Sequence, residues 1–147
     1  MIPPSRRVLP SWVIDGLRGG IVGFVVFGAL ALATTYAGSV IDRHPEIDGP
    51  ETLGSTVLIT LEVGIPSALV LGLLIAWATR LPRPWAVSLL GLMNSGLLIC
   101  GYGSLRIRVI EPRWLVPVSL IVLAHVLTAV LVARSARSAH AVTSRSR

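Results

Sequence analysis

The sequence predicts an all-α membrane protein, a bundle of four transmembrane helices with both termini in the cytoplasm. The first observation behind this fold class is composition: 53% of the 147 residues are hydrophobic, 14% are charged, and the mean hydropathy is +0.78. So few charges cannot cover the surface of a soluble domain of this length, which argues against a soluble enzyme or a soluble nucleic-acid-binding domain. The second observation is that the charges divide the chain into four long apolar stretches.

Each stretch is long enough to cross a bilayer as a helix. Counted between flanking charges, three stretches hold 23, 22 and 20 uncharged residues, and the remaining one holds 28 residues with Glu62 as its only charge. About 20 residues at about 1.5 Å per residue cross a hydrocarbon layer of about 30 Å. We therefore predict a cytoplasmic or interfacial segment at 1–18, spans at about 19–41, 53–79, 84–105 and 114–133, and a basic cytoplasmic tail at 134–147.

The arginines predict the orientation. With the N-terminus inside, nine of the 13 basic residues fall on the inner side and four on the outer side, as the positive-inside rule requires, although three of those four crowd the third loop. The aromatic residues agree, with Trp12, Trp77 and Trp85 near the inner boundary and Tyr36, Tyr102 and Trp114 near the outer one. Lysine is absent and all 13 basic residues are arginine, whose codons are mostly GC-rich, so we expect a gene from a GC-rich bacterial genome. Together with the four spans, this predicts a multi-pass protein of a bacterial plasma or inner membrane.

A face of small residues runs along the second span. Its members recur every four residues: Thr56, Thr60, Gly64, Ala68, Gly72 and Ala76. In a bilayer such a face lets helix backbones approach closely, so we predict helix packing at Gly64, Pro66, Ala68 and Gly72. Gly19 and Gly23 repeat the same spacing in the first span. The pattern fits packing within one subunit and equally fits a homo-oligomer interface.

Glu62 is the most unusual residue of the spans. A carboxyl group near the middle of a membrane helix costs on the order of 3 kcal/mol, so it should face a bundle interior, a wet cavity or a partner. Pro66 lies four residues later and has no N–H, so the carbonyl of Glu62 loses its usual helical partner and the helix is expected to bend there. At about 100° per residue, Glu62 points about 160° away from Gly64 and the small-residue face.

Two further polar residues lie at comparable depth. Asn94 falls near the centre of the third span and His125 about 2 Å to the inner side in the fourth, while Glu62 falls about 5 Å to the outer side. An offset of about 7 Å between Glu62 and His125 is short enough for one water to bridge. Glu62, Asn94 and His125 are therefore the candidate proton-responsive or partner-contacting residues. The alternative is that each simply bonds a neighbouring helix, a contact worth about 0.6 kcal/mol on average.

The C-terminal tail is basic. Its arginines are Arg134, Arg137, Arg145 and Arg147. Serines and alanines separate them, a composition expected to stay mobile and to be drawn to anionic lipid headgroups at about 1 kcal/mol per charge. We expect the lipid bilayer, not nucleic acid, to be the partner of this tail. Neither a metal nor a cofactor is expected, since the chain has one cysteine, Cys100, and no ligand motif.

Three function hypotheses follow. The first is an accessory, assembly or interaction subunit that acts through helix contacts with other membrane proteins or with copies of itself. The second is a proton-coupled small-solute transporter or channel that uses Glu62 and His125. The third, a membrane enzyme acting on a lipid-soluble substrate, has the least support because the sequence contains no nucleophile motif or phosphate-binding loop, and no catalytic residue is predicted.

Overall fold

The computed structural model describes residues 9–41, 43, 54, 57–58, 60–104 and 114–145. All regular secondary structure in these ranges is helical. The helices are α1 (Ser11–Ile41), α2 (Ile65–Ala78), α3 (Pro84–Ser104) and α4 (Leu115–Arg145), and a π-helical turn, Thr60–Gly64, leads directly into α2. Counting that turn with α2, all four are long and apolar enough to cross a membrane. The all-helical fold class is confirmed, and the chain has the features of a small multi-pass membrane protein.

The helices form a ring in which each packs mainly against two others. α1 packs against α4 and α2, and α3 packs against the same two helices from the other side. The buried core consists largely of alanines and valines, such as Val22 and Ala68, whereas many of the leucines face outward, Leu32 and Leu97 among them. This is the inverse of a water-soluble bundle: lipid solvates leucine well, so small residues are left to bring the helices together.

α1 begins at Ser11, well before the predicted start of the first span at residue 19. The residues between them, which include Asp15 and Arg18, belong to the predicted cytoplasmic or interfacial segment 1–18. Asp15 is buried and forms an ion pair with Arg137 of α4, which also bonds the Ser11 hydroxyl. Because a partner compensates the carboxylate, the helix continues through this acidic residue.

α4 also extends beyond its predicted span, through the tail that was expected to be mobile. The helix reaches Arg145, twelve residues past the predicted end at 133. Two serine hydroxyls bond carbonyls of the preceding turn, Ser135 to Val132 at 2.9 Å and Ser138 to Arg134 at 3.1 Å. Alanine is the best helix former, and the contacts of Arg137 attach this part of α4 to α1. Residues 134–145 are therefore helical, where the composition predicted a mobile segment.

A tight turn joins α2 to α3. The amide of Leu81 donates to the carbonyl of Ala76 at 3.0 Å and the amide of Arg80 to that of Trp77 at 2.9 Å, the bond pattern of a Schellman C-cap. Arg80 occupies the left-handed position with φ 56°, where glycine is the usual residue. Leu81 is buried beyond it and closes the helix end. α3 then starts with Pro84, whose missing N–H would have had no helical partner in any case.

One end of the bundle collects three parts of the chain. A small pocket of about 260 Å³ is lined by Asp15 near the start of α1, Pro82 of the α2–α3 turn, and Arg137 towards the end of α4. The start of α1 and the C-terminal part of α4 therefore lie on the same side of the bundle. Trp12, Trp77 and Trp85 belong to the helix ends that meet there, and all three are exposed, as expected of side chains at a membrane interface. We call this the tryptophan end.

Candidate functional site

Glu62 lies in the π-helical turn, with its side chain on the outside of the bundle. Its neighbours Leu61 and Val63 are exposed as well. No hydrogen bond or ion pair joins Glu62 to another residue that the structure describes. The carboxyl group is thus set in an apolar surface, not in the interior of this chain.

The π-helical turn has a local cause. Pro66 has no amide hydrogen to donate to the carbonyl of Glu62, so the ordinary α-helical bond cannot form there. A π-helical turn is one of the ways a helix accommodates such a gap, and such turns are frequent at functional sites. The irregularity predicted from Pro66 is present in this form. Pro66 itself is exposed beside it.

The small-residue face of α2 is turned inward. Gly64, Ala68, Gly72 and Ala76 are all buried. A β-carbon at Gly64 would lie 3.1 Å from Cβ of Ala33 on α1, and one at Gly72 would lie 2.7 Å from the hydroxyl oxygen of Ser88 on α3. The face therefore packs against α1 and α3 within one subunit. Glu62, in the turn before α2 and on the other side of the helix from Gly64, faces the surroundings of the bundle.

His125 is fully buried where α4 meets both α1 and α3. Its Nδ1 lies 2.9 Å from the carbonyl oxygen of Ile121. A carbonyl only accepts, so Nδ1 carries the hydrogen and Nε2 has the lone pair. Nε2 has no hydrogen-bond partner among the described residues. The ring lies on Gly91 of α3, where a β-carbon would come within 2.5 Å of Cδ2 and 2.7 Å of Nε2.

Asn94 joins the same pair of helices. Its side-chain amide donates to the hydroxyl of Thr128 at 3.1 Å; Asn94 is exposed and Thr128 is buried. Because α3 and α4 run in opposite directions, the contact of Asn94 with Thr128 and that of Gly91 with His125 lie at about the same level of the bundle. Both contacts join α3 to α4.

Glu62 and His125 do not come together. Their separation follows from the α1 residues that they pack against. His125 Cβ lies 3.1 Å from a β-carbon built on Gly23 of α1, whereas a β-carbon built on Gly64, two residues from Glu62, lies 3.1 Å from Cβ of Ala33 of α1. Ten residues of α1 separate the two levels, about 15 Å along the axis. The predicted offset of about 7 Å is therefore too small, and burial separates the pair further, since His125 is enclosed and Glu62 faces outward.

The basic residues of the tail are placed differently from one another. Arg134 is exposed, whereas Arg137 reaches across to α1 and contacts Asp15 and Ser11, with its Nε donating to the carbonyl of Ala133 at 3.1 Å. Arg145 is the last residue of α4, and Arg147 lies outside the described residues. Arg134 and Arg137 are therefore both exposed, but Arg137 is already bonded to α1.

The ion pair between Asp15 and Arg137 was not predicted from the sequence. The sequence did contain a usable signal. With both termini inside, Asp15 lies near the inner end of the first span and Arg137 just beyond the inner end of the last, so the two residues lie at similar depth. Depth alone could not show that α1 and α4 are neighbours.

Within the described ranges there is no group of three histidine, cysteine or acidic residues that could hold a metal ion. Comparison of the chain with protein-family models, curated proteins and solved structures found no significant match.

Proposed function

We propose that this protein is an interaction subunit of a membrane assembly and that the surface around Glu62 contacts the partner. The observation that carries the proposal is an exposed carboxyl group between two exposed apolar residues, Leu61 and Val63, on a helix apolar enough to cross the membrane. The partner is another membrane protein or a second copy of this chain.

The depth of Glu62 within its helix supports the need for a partner. Glu62 lies seven residues from the midpoint of Thr60–Ala78, about 10 Å along the axis, and half of the hydrocarbon layer is about 15 Å. At that level the carboxyl group is still surrounded by acyl chains. A hydroxyl, amide or cationic group from another helix would provide the hydrogen bond that lipid cannot, which is how intramembrane acidic residues are usually accommodated.

The inward packing of the small-residue face also supports this choice. Gly64 and Gly72 are already engaged by Ala33 and Ser88, so close approach of a second subunit is not their role. What remains for a partner on this helix is the side that carries Glu62. We therefore favour a polar contact at Glu62 over a glycine-mediated interface on α2.

Transport driven by Glu62 and His125 is the second hypothesis, and the geometry supports it less. A proton would have to travel about 15 Å between an exposed carboxyl group and an imidazole packed on all sides. Under this hypothesis Glu62→Gln abolishes pH-gradient-driven flux in vesicles. An enzyme is favoured even less, since the three polar side chains do not converge on one site.

A photo-crosslinking amino acid at Val63 tests the proposal in native membranes. We expect one discrete adduct, either a dimer of this chain or a complex with one other membrane protein, and we expect Glu62→Gln to weaken it several-fold. The same probe at Leu97, which is exposed on α3, is the matched control and should give only lipid adducts. Equal crosslinking at both positions, or a Val63 adduct unaffected by Glu62→Gln, would overturn the proposal.

A further inference from the structure

An apolar groove follows the outer side of the α1–α4 pair. It has a volume of about 760 Å³ and extends on α1 from Trp12 to Phe24, with Val122, Val126 and Val130 on the α4 side. This volume lies in the range of small-molecule sites, about 300–1,000 Å³. No part of this groove involves Glu62, so it is independent of the proposed partner contact.

Glycines create the groove. Gly16 and Gly20 line it, and a β-carbon on Gly16 would lie 3.6 Å from the side chains of Val126 and Val130, in ordinary contact. The neighbouring pair, Gly19 and Gly23, has a different role, because β-carbons there would collide with the backbone of α4 at 2.6 Å and 2.9 Å. Gly19 and Gly23 thus let the backbones of α1 and α4 approach closely, while Gly16 and Gly20 leave the groove open beside this contact.

The groove has the depth of one leaflet. Twelve residues separate Trp12 from Phe24, a rise of about 18 Å, against about 15 Å for half of the hydrocarbon layer. A helix of a second protein would need a surface that continues across the whole membrane. A single acyl chain needs one leaflet only, starting at the tryptophan end.

An arginine, Arg134, lies beyond the end of the groove that is nearest the tryptophan end. Arg134 follows Val126 and Val130 at four-residue intervals, which places it on the same side of α4 as these two groove residues, one turn closer to the tryptophan end. Its side chain is exposed, and it is not engaged with Asp15, whose ion-pair partner is Arg137. An arginine at interfacial depth is a suitable ligand for a phosphate group.

We propose that this groove binds one anionic phospholipid, with an acyl chain along Gly16 and Gly20 and the headgroup phosphate on Arg134. Apolar walls select a hydrocarbon chain, and the positive charge at one end selects an anionic headgroup over a zwitterionic one.

Native mass spectrometry of the full chain, released from mild detergent with phosphatidylglycerol or phosphatidylcholine of matched acyl chains, tests this site. We expect the wild type to retain one phosphatidylglycerol in preference to phosphatidylcholine. Arg134→Gln should weaken that retention about fivefold and remove the preference. Gly20→Leu, which fills the groove, should reduce retention of both lipids.

Two matched variants separate this site from general lipid solvation. Gly96→Leu adds the same side chain at an exposed glycine with open space around it, and Arg83→Gln removes a charge at the same end of the bundle. Both should bind as the wild type does. The proposal is overturned if these controls lose lipid as much as the groove variants, or if Arg134→Gln, an exposed substitution that leaves folding intact, has no effect. It is also overturned if Gly20→Leu instead converts a dimer into a monomer.

Discussion

The imidazole ring of His125 lies flat against Gly91, so close that α3 has no room for any side chain at that position. On its other side the same residue meets α1 at Gly23. His125 thus joins three of the four helices at one level of the bundle. Its position depends on glycines contributed by two helices that are distant in sequence.

Replacing Gly91 with alanine should destabilise the bundle by about 1–3 kcal/mol, because the new β-carbon would come within 2.5 Å of the ring. The measurement is thermal unfolding in a fixed detergent, with Gly96→Ala as the control, since no atom lies within 4 Å of a β-carbon there. The double variant Gly91→Ala with His125→Ala should lose less than the sum of the two single changes. Strict additivity would mean that the two positions are not in contact.

The ion pair between Asp15 and Arg137 should hold the tryptophan end closed. Arg137→Gln leaves the buried carboxylate of Asp15 without its cationic partner, so we expect a loss of about 1–3 kcal/mol in unfolding free energy. Asp15→Asn should cost less, because the arginine left behind is half exposed and can be hydrated. Chemical denaturation in detergent measures both, beside Arg134→Gln as an exposed arginine control expected within about 0.5 kcal/mol of the wild type. An equal loss in all three variants would contradict a specific role for the pair.

The α2–α3 turn should be more stable with glycine at position 80 than with the arginine that is there. Arg80 adopts φ 56°, a conformation that costs a residue with a side chain about 1–2 kcal/mol and costs glycine little. After subtracting the greater flexibility of glycine in the unfolded chain, Arg80→Gly should raise stability by about 0.5–1 kcal/mol. Arg80→Ala removes the same charge but keeps the β-carbon, so it should give no such gain. Matching gains in the two variants would show that charge, not backbone conformation, is responsible.

The approximate number and position of the crossings could be predicted from the sequence. Hydropathy and flanking charges are local properties, and a bilayer of fixed thickness converts them directly into spans. The outward direction of Glu62 relative to Gly64 also follows from helical periodicity alone. The limits of α1 and α4 did not follow, because Asp15 and Arg137 compensate each other across 122 residues of chain, and each considered alone is a charge outside the predicted spans.

The sequence by itself therefore determined that this chain has four helices long and apolar enough to cross a membrane, and which polar residues lie within them. Only the tertiary structure decided which way those groups face: His125 into a junction of three helices, Glu62 out of the bundle, and Arg134 to the end of an apolar groove. The physical reason is that depth is set by each helix and the bilayer, whereas rotation about the helix axis is set by contacts between helices, such as Gly91 with His125, that no local pattern encodes.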